Sequence, residues 1–176
     1  MRIVVSGTHA SGKSTLISDF HAVHPEYRTL GDPFEDLDLE EPAGEAGFAA
    51  QLRISTVRLQ ELSADDDVIA ERGPLDFLAY LIALERLGRS DGALIARASR
   101  IVEESAENID LIVVVPLDGE HPIHVPDDED PELREAMDQS LQEIADDLEH
   151  DDVVRVITVG SDAASRLRAV LAAVAG

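Results

Sequence analysis

The chain has 176 residues and a mass of 19.0 kDa, the size of one globular domain, and its 44% apolar content is enough to fill a core and excludes wholesale disorder. Fourteen basic residues against 37 acidic ones give a formal charge of −23, which repels phosphate backbones and anionic lipid and excludes nucleic-acid binding through a basic face. There is no cysteine, which excludes disulfides, thiolate zinc sites and cysteine nucleophiles, and the longest apolar stretch, 111–115, falls far short of the roughly 20 residues a membrane span needs.

Strand-like and helix-like segments alternate along the whole length. Arg2 to Ser6 is a short β-branched run that ends at Gly7, as a buried strand does, and Lys13 to Val23 has helical character up to Pro25. Tyr27 to Leu30 is a second strand, closed by Gly31-Asp32-Pro33. Residues 34–44 are acidic, carry Pro42 and read as a loop. Glu45 to Ala64 has apolar residues at helical spacing, among them Phe48, Leu52 and Leu59. Asp67 to Ala70 is a third strand that delivers Glu71-Arg72-Gly73. Helices are expected over 75–87 and 92–106, then a strand over 110–115 ended by Pro116. Residues 117–130 form a polar, proline-punctuated loop, and Pro131 is suited to open the next helix, which runs to about Leu148. Val153 to Val159 is the fifth strand, and an Ala-rich helix begins near Ser161. Short apolar strands joined by helices predict an α/β fold, a single domain whose parallel sheet of about five strands carries helices on both faces.

The strongest motif is Gly7-Thr8-His9-Ala10-Ser11-Gly12-Lys13-Ser14, a complete G-x-x-x-x-G-K-[ST] pattern set after a strand and before a helix. The residue types follow from the task of holding phosphate. Gly7 and Gly12 permit backbone angles that turn successive N–H groups toward an anion, and the helix that follows adds the positive end of its dipole. Lys13 supplies a point charge to the β- and γ-phosphates, while the Ser14 hydroxyl, next to Thr15, suits a Mg²⁺ ion that prefers hard oxygen ligands. Lys13 is also the sole lysine of the protein. With no second lysine, the Asn-Lys-x-Asp element that reads guanine is absent, as is a dinucleotide-binding G-x-G-x-x-G. What remains is a small ATP-dependent kinase or a free-standing ATPase with the P-loop NTPase fold.

The segment Asp67 to Leu81, DVIAERGPLDFLAYL, resembles the nucleoside-kinase branch of P-loop phosphotransferases, and most of all the ribosylnicotinamide-kinase family and the small AAA-domain ATPases related to it. Those proteins carry a D/E-R-[SG]-P-x-D element at this place. The resemblance implies that Glu71 helps Ser14 hold Mg²⁺ and that Arg72 contacts phosphate or substrate. It further implies that Asp32, followed by Pro33, takes the proton of the acceptor hydroxyl, with Glu35 as a fallback. Residues 117–134 would be the lid, where Arg134 is the arginine available to the transferred phosphoryl group. Gly160 and Ser161 would wrap the adenine, with Arg166 stacking on the base or pairing with an acid. Arg53 and Arg58 are expected in surface ion pairs, or against a substrate anion. His121 and His124, beside the acids of 127–130, read as a solvated loop rather than a metal site. The sequence therefore points to a cytoplasmic, ATP- and Mg²⁺-dependent phosphotransferase whose partners are a nucleotide and a small hydroxyl-bearing, nucleoside-like acceptor, with no nucleic acid and no membrane. The alternative is a regulatory ATPase module with no acceptor. Oligomeric state is open.

Overall fold

Each apolar run expected to be a strand is short, and the computed structural model, which describes residues 1–36, 43–117, 130–160 and 162–176, assembles all five into one parallel sheet. In chain order the elements are β1 (Arg2–Ser6), α1 (Lys13–Val23), β2 (Arg28–Leu30), a 3₁₀ turn (Pro33–Asp36), α2 (Glu45–Gln60), β3 (Val68–Glu71) and α3 (Pro74–Arg86). Then follow α4 (Ile95–Ala106), β4 (Leu111–Val114), α5 (Pro131–His150), β5 (Val156–Thr158) and α6 (Ala163–Ala175). The strand order is β2-β3-β1-β4-β5. The chain winds outward from β1 to β2, returns to β3, and then crosses β1 to reach β4 and β5. Val5 lies level with Glu71 on one side and Val113 on the other, so β1 delivers its loop between two neighbours whose carboxyl ends face the same way. A sheet wound in this manner opens its ligand crevice where the winding reverses.

Strand periodicity divides the core into two layers. Val4, Val68, Ala70, Ile112 and Val114 face α2, α3, α4 and α5. Ile3, Val5, Ile69, Leu111 and Val113 face α1 and α6. The central strand is buried on both faces, which is why its sequence reads as a continuous apolar run.

The departures from expectation lie at element ends, and each has a local cause. Within the segment read as a loop from residue 34, the Asp32 carboxylate accepts the Phe34 N–H at 3.0 Å and starts the 3₁₀ turn; residues 37–42 lie outside the described residues. α2 stops at Gln60, four residues early, because Ser63 and Asp66 close a turn of their own: Ser63 N–H donates to Asp66 Oδ2 at 2.7 Å. α4 starts at Ile95, three residues late, after Gly92 takes a left-handed φ of 72°. β5 spans three residues, the length over which it pairs with β4. The lid expected over 117–134 falls mostly on 118–129, which with His121 and His124 lie outside the described residues, as does Ser161. α5 begins at Pro131 as expected, capped by the Asp130 carboxylate, which accepts from the Glu132 and Leu133 amides. Among the described residues, no helix is long and apolar enough to cross a membrane.

Candidate active site

The loop after β1 takes its shape from two tight approaches. A Cβ at Gly7 would stand 2.6 Å from both Ser11 Oγ and the Val115 carbonyl, so only glycine fits where the loop passes the end of β4. Gly12 has φ 98° and sits at the N-cap of α1, a left-handed conformation that hands the chain from loop to helix. The Lys13 side chain folds back over the loop, its Nζ donating to the Thr8 carbonyl at 2.8 Å and lying 3.8 Å from Glu71 Oε1. Only 3% of Lys13 is exposed. That burial, helped by the neighbouring Arg72 charge, lowers its pKa to about 7. Phosphate oxygens in the loop would restore the full charge.

Two hard oxygens meet at the start of α1. Ser14 Oγ donates to Glu71 Oε1 at 3.0 Å, so a hydroxyl from the helix and a carboxylate from the end of β3 share one spot beside the phosphate loop. This pair fits Mg²⁺, which binds through one or two protein oxygens and completes its shell with phosphate and water. Among the described residues, no group of three or more metal-ligating His, Asp or Glu side chains occurs, as a metal held by an all-protein cage would require.

Arg72 and Asp76 tie β3 and α3 to the loop. Arg72 adopts a left-handed φ of 63°, rare for a residue with a side chain, and this turns its guanidinium inward under the loop. Its Nε donates to Asp32 Oδ2 at 2.7 Å and its Nη1 to the Gly7 carbonyl at 3.1 Å. The same guanidinium lies 5.3 Å from the Phe34 ring centroid and 5.6 Å from that of Tyr80. Asp76, fully buried, accepts the Gly7 N–H at 2.9 Å, the Ser6 hydroxyl at 2.8 Å and the Gly73 N–H at 2.9 Å. Burial pushes the Asp76 carboxyl up from its ordinary pKa, against the pull of Arg72 and of the Gly73 and Gly7 amides. The first turn of α3 is thereby pinned to the first residue of the phosphate loop.

One cleft of about 730 Å³ runs from the loop, at Lys13 and Ser14, past Asp32, Glu71 and Arg72 to a pocket formed by Phe34, Phe48 and Tyr80. Phe48 and Tyr80 are stacked, with centroids 4.3 Å apart and planes inclined by 7°, and Phe34 meets Phe48 edge-on at 6.2 Å. Two functional elements escaped sequence reasoning here. The aromatic pocket had a faint signal: four of the chain's six Phe and Tyr residues lie between positions 34 and 80. Asp76 stands in the D/E-R-[SG]-P-x-D element, but its role depends on where α3 starts relative to β1.

The remaining predicted residues fall in different places. His9, Ala10, Gly12 and Thr15 line the cleft with Lys13 and Ser14, whereas Gly7, Thr8 and Ser11 form the loop's buried side. Arg134, on the first turn of α5, lines the cleft and reaches over the loop, its Nε donating to the His9 carbonyl at 2.9 Å and its Nη2 to the Ala10 carbonyl at 3.3 Å. Arg166 is buried behind the loop, where its Nη1 donates to the Ser11 carbonyl at 2.7 Å. It braces the loop from the side away from the cleft. Gly160 does not line the cleft, and a Cβ there would meet nothing within 4 Å. Arg58 donates to the Gly31 carbonyl at 3.0 Å, and Arg53 lines a separate shallow groove between α2, α3 and α4. Glu35 lies in the 3₁₀ turn.

Known proteins share this architecture. Deoxyadenosine kinase from M. mycoides with bound dATP superposes with a TM-score of 0.77 at 14% identity, over 100% of both chains. Thymidylate kinase from Candida albicans gives 0.69 at 18% identity, over 98% of this chain and 90% of that one. At these identities the likeness is one of fold. No curated protein sequence is similar enough to match. The family model described as an AAA domain matches residues 2–162, which take in the phosphate loop, the Glu71-Arg72 strand end and all five strands; the chain belongs to that family.

Proposed function

We propose that the protein is an ATP- and Mg²⁺-dependent phosphotransferase acting on a small hydroxyl-bearing, nucleoside-like acceptor. The observation that carries this reading is the continuity of the cleft: an aromatic pocket opens directly off the phosphate loop, and Asp32 and Arg72 stand at the junction. A module that only hydrolyses ATP needs a place for water, not a cleft that continues past Asp32 and Arg72 to aromatic side chains. In this reading the loop amides and Lys13 hold the triphosphate, and Arg72 stabilises charge at the transferred group. Ser14 and Glu71 would hold Mg²⁺, which when bound neutralises phosphate charge. The acceptor oxygen bonds to the γ-phosphorus and the bond from that phosphorus to the β,γ-bridging oxygen breaks, releasing ADP. The hydroxyl proton passes to the Asp32 carboxylate and on to water.

One observation favours the regulatory alternative. Arg134 is the one arginine within residues 117–134, and it holds loop carbonyls. A screen of nucleosides, nucleotides and other ribosides for ADP release above the basal rate separates the two readings. Asp32→Asn is expected to lower acceptor-dependent turnover by about 10²-fold or more while ATP affinity hardly changes. An effect confined to ATP binding would remove Asp32 from proton transfer.

A further inference from the structure

We infer that the acceptor carries no phosphate: the aromatic end of the cleft takes an uncharged or cationic hydroxyl compound and rejects a nucleoside monophosphate. The inference rests on the phosphotransferase reading and narrows its substrate class, because folds of this kind serve both nucleosides and their monophosphates, as the names of the two similar kinases show.

The argument is an account of every lysine and arginine in the protein. There are 14, Lys13 and thirteen arginines. Three line the cleft: Lys13, Arg72 and Arg134. Lys13 and Arg134 lie on the phosphate loop itself, bonded to its carbonyls, at the end that holds the donor triphosphate. Arg72 is already shared between the Asp32 carboxylate and the Gly7 carbonyl. The other eleven arginines do not line the cleft, and several are tied up elsewhere, as Arg2 is with Asp110, Arg86 with Glu143 and Arg155 with the Ala173 carbonyl. The segments 37–42 and 118–129, outside the described residues, contain eight carboxylates and neither lysine nor arginine, so they bring no counter-charge wherever they lie.

A monophosphate at the aromatic end of the cleft would therefore set a second anion against Asp32 and Glu71, and of the cations lining the cleft only Arg72, already bonded to Asp32, stands beside that end. Like charges juxtaposed in a cleft disfavour binding strongly, and such repulsion is a common source of specificity. Phe34, half-buried and backed by the buried rings of Phe48 and Tyr80, presents apolar surface to a planar base or a cationic ring, and neither needs an anion site.

The test compares each of several nucleosides with its own 5′-monophosphate as acceptor, with saturating ATP and Mg²⁺ at pH 8, where histidine is mostly neutral. ADP release and product mass are the readouts. The expected result is a kcat/KM at least about 10²-fold lower for the monophosphate than for the matching nucleoside. Ala43→Arg, at an exposed position on the cleft rim, adds the missing cation and is expected to narrow that gap. A monophosphate used as well as its nucleoside, or better, overturns the inference and leaves the kinase reading intact. If neither member of any pair raises ADP release while ATP still binds, the phosphotransferase reading falls and the inference falls with it.

Discussion

Lys13 illustrates how one buried group sets a measurable property. Its folded pKa of about 7 lies below the unfolded value of 10.5, so between those limits the unfolded chain binds a proton that the native state does not. This destabilisation is complete below pH 7 and fades as pH rises toward 10.5, at up to about 1.4 kcal/mol per pH unit. Lys13→Met should therefore be more stable than the parent near pH 7, with the difference in thermal midpoint shrinking toward pH 10; a pH-independent difference would contradict it. Nucleotide phosphates reverse the effect, so ATP binding at pH 8 is expected to take up most of one proton. Calorimetry in buffers of differing ionisation enthalpy reads that uptake, and heats independent of buffer would refute it. Asp76 makes a second case. Asp76→Ala leaves the Gly7 and Gly73 amides and the Ser6 hydroxyl without their buried acceptor, which should cost about 3 kcal/mol or more in urea unfolding.

At the scale of elements, α3 does most to join the site to the core. Its Pro74 start is pinned by Asp76, its Tyr80 lines the cleft, and its far face packs on α5, where Met137 and Leu141 are fully buried. Leu141→Ala is expected to lower unfolding free energy by about 2–5 kcal/mol through the cavity it opens. The pair Arg86–Glu143 on the same interface is exposed, and Arg86→Ala should cost less than about 1 kcal/mol. Much of this arrangement was legible in the sequence. β1, the loop and α1 read to the residue, because a β-branched run, a glycine loop and a helix start follow one another with no ambiguity of period. Asp32, Glu71 and Arg72 were also legible as a group at strand ends. Three things were not: that Arg166 braces the loop from behind, that Asp76 bonds across to β1, and that Phe34, Phe48 and Tyr80 converge. Each depends on how a helix is rotated and set against the sheet, and spacing along one chain does not encode that. The edge strands β2 and β5 were read too long for a similar reason, since their extent is set by the strand they pair with.

The whole molecule carries a charge of −23 on 176 residues, and its carboxylates are spread along the chain rather than paired one to one with cations. Self-repulsion opposes the compact state, and salt screens it over a Debye length of about 10 Å at 0.1 M. The thermal midpoint should rise as sodium chloride goes from about 0.02 to 0.5 M; a flat or falling curve would show that the surface pairs outweigh the repulsion. Arg72 has a consequence at this scale as well. One guanidinium touches the loop carbonyl, the general-base candidate and the rings of Phe34 and Tyr80, so in the proposed reaction neither ligand can settle without acting on a group the other uses. The two binding events then form a closed thermodynamic square. Whatever factor a bound acceptor contributes to ATP affinity, ATP must return to the acceptor, and a factor on the order of 10 is in the usual range. Titrating each ligand with and without a non-reactive form of the other measures both edges, and the square closes only if donor and acceptor occupy the protein together, neither waiting for the other to leave.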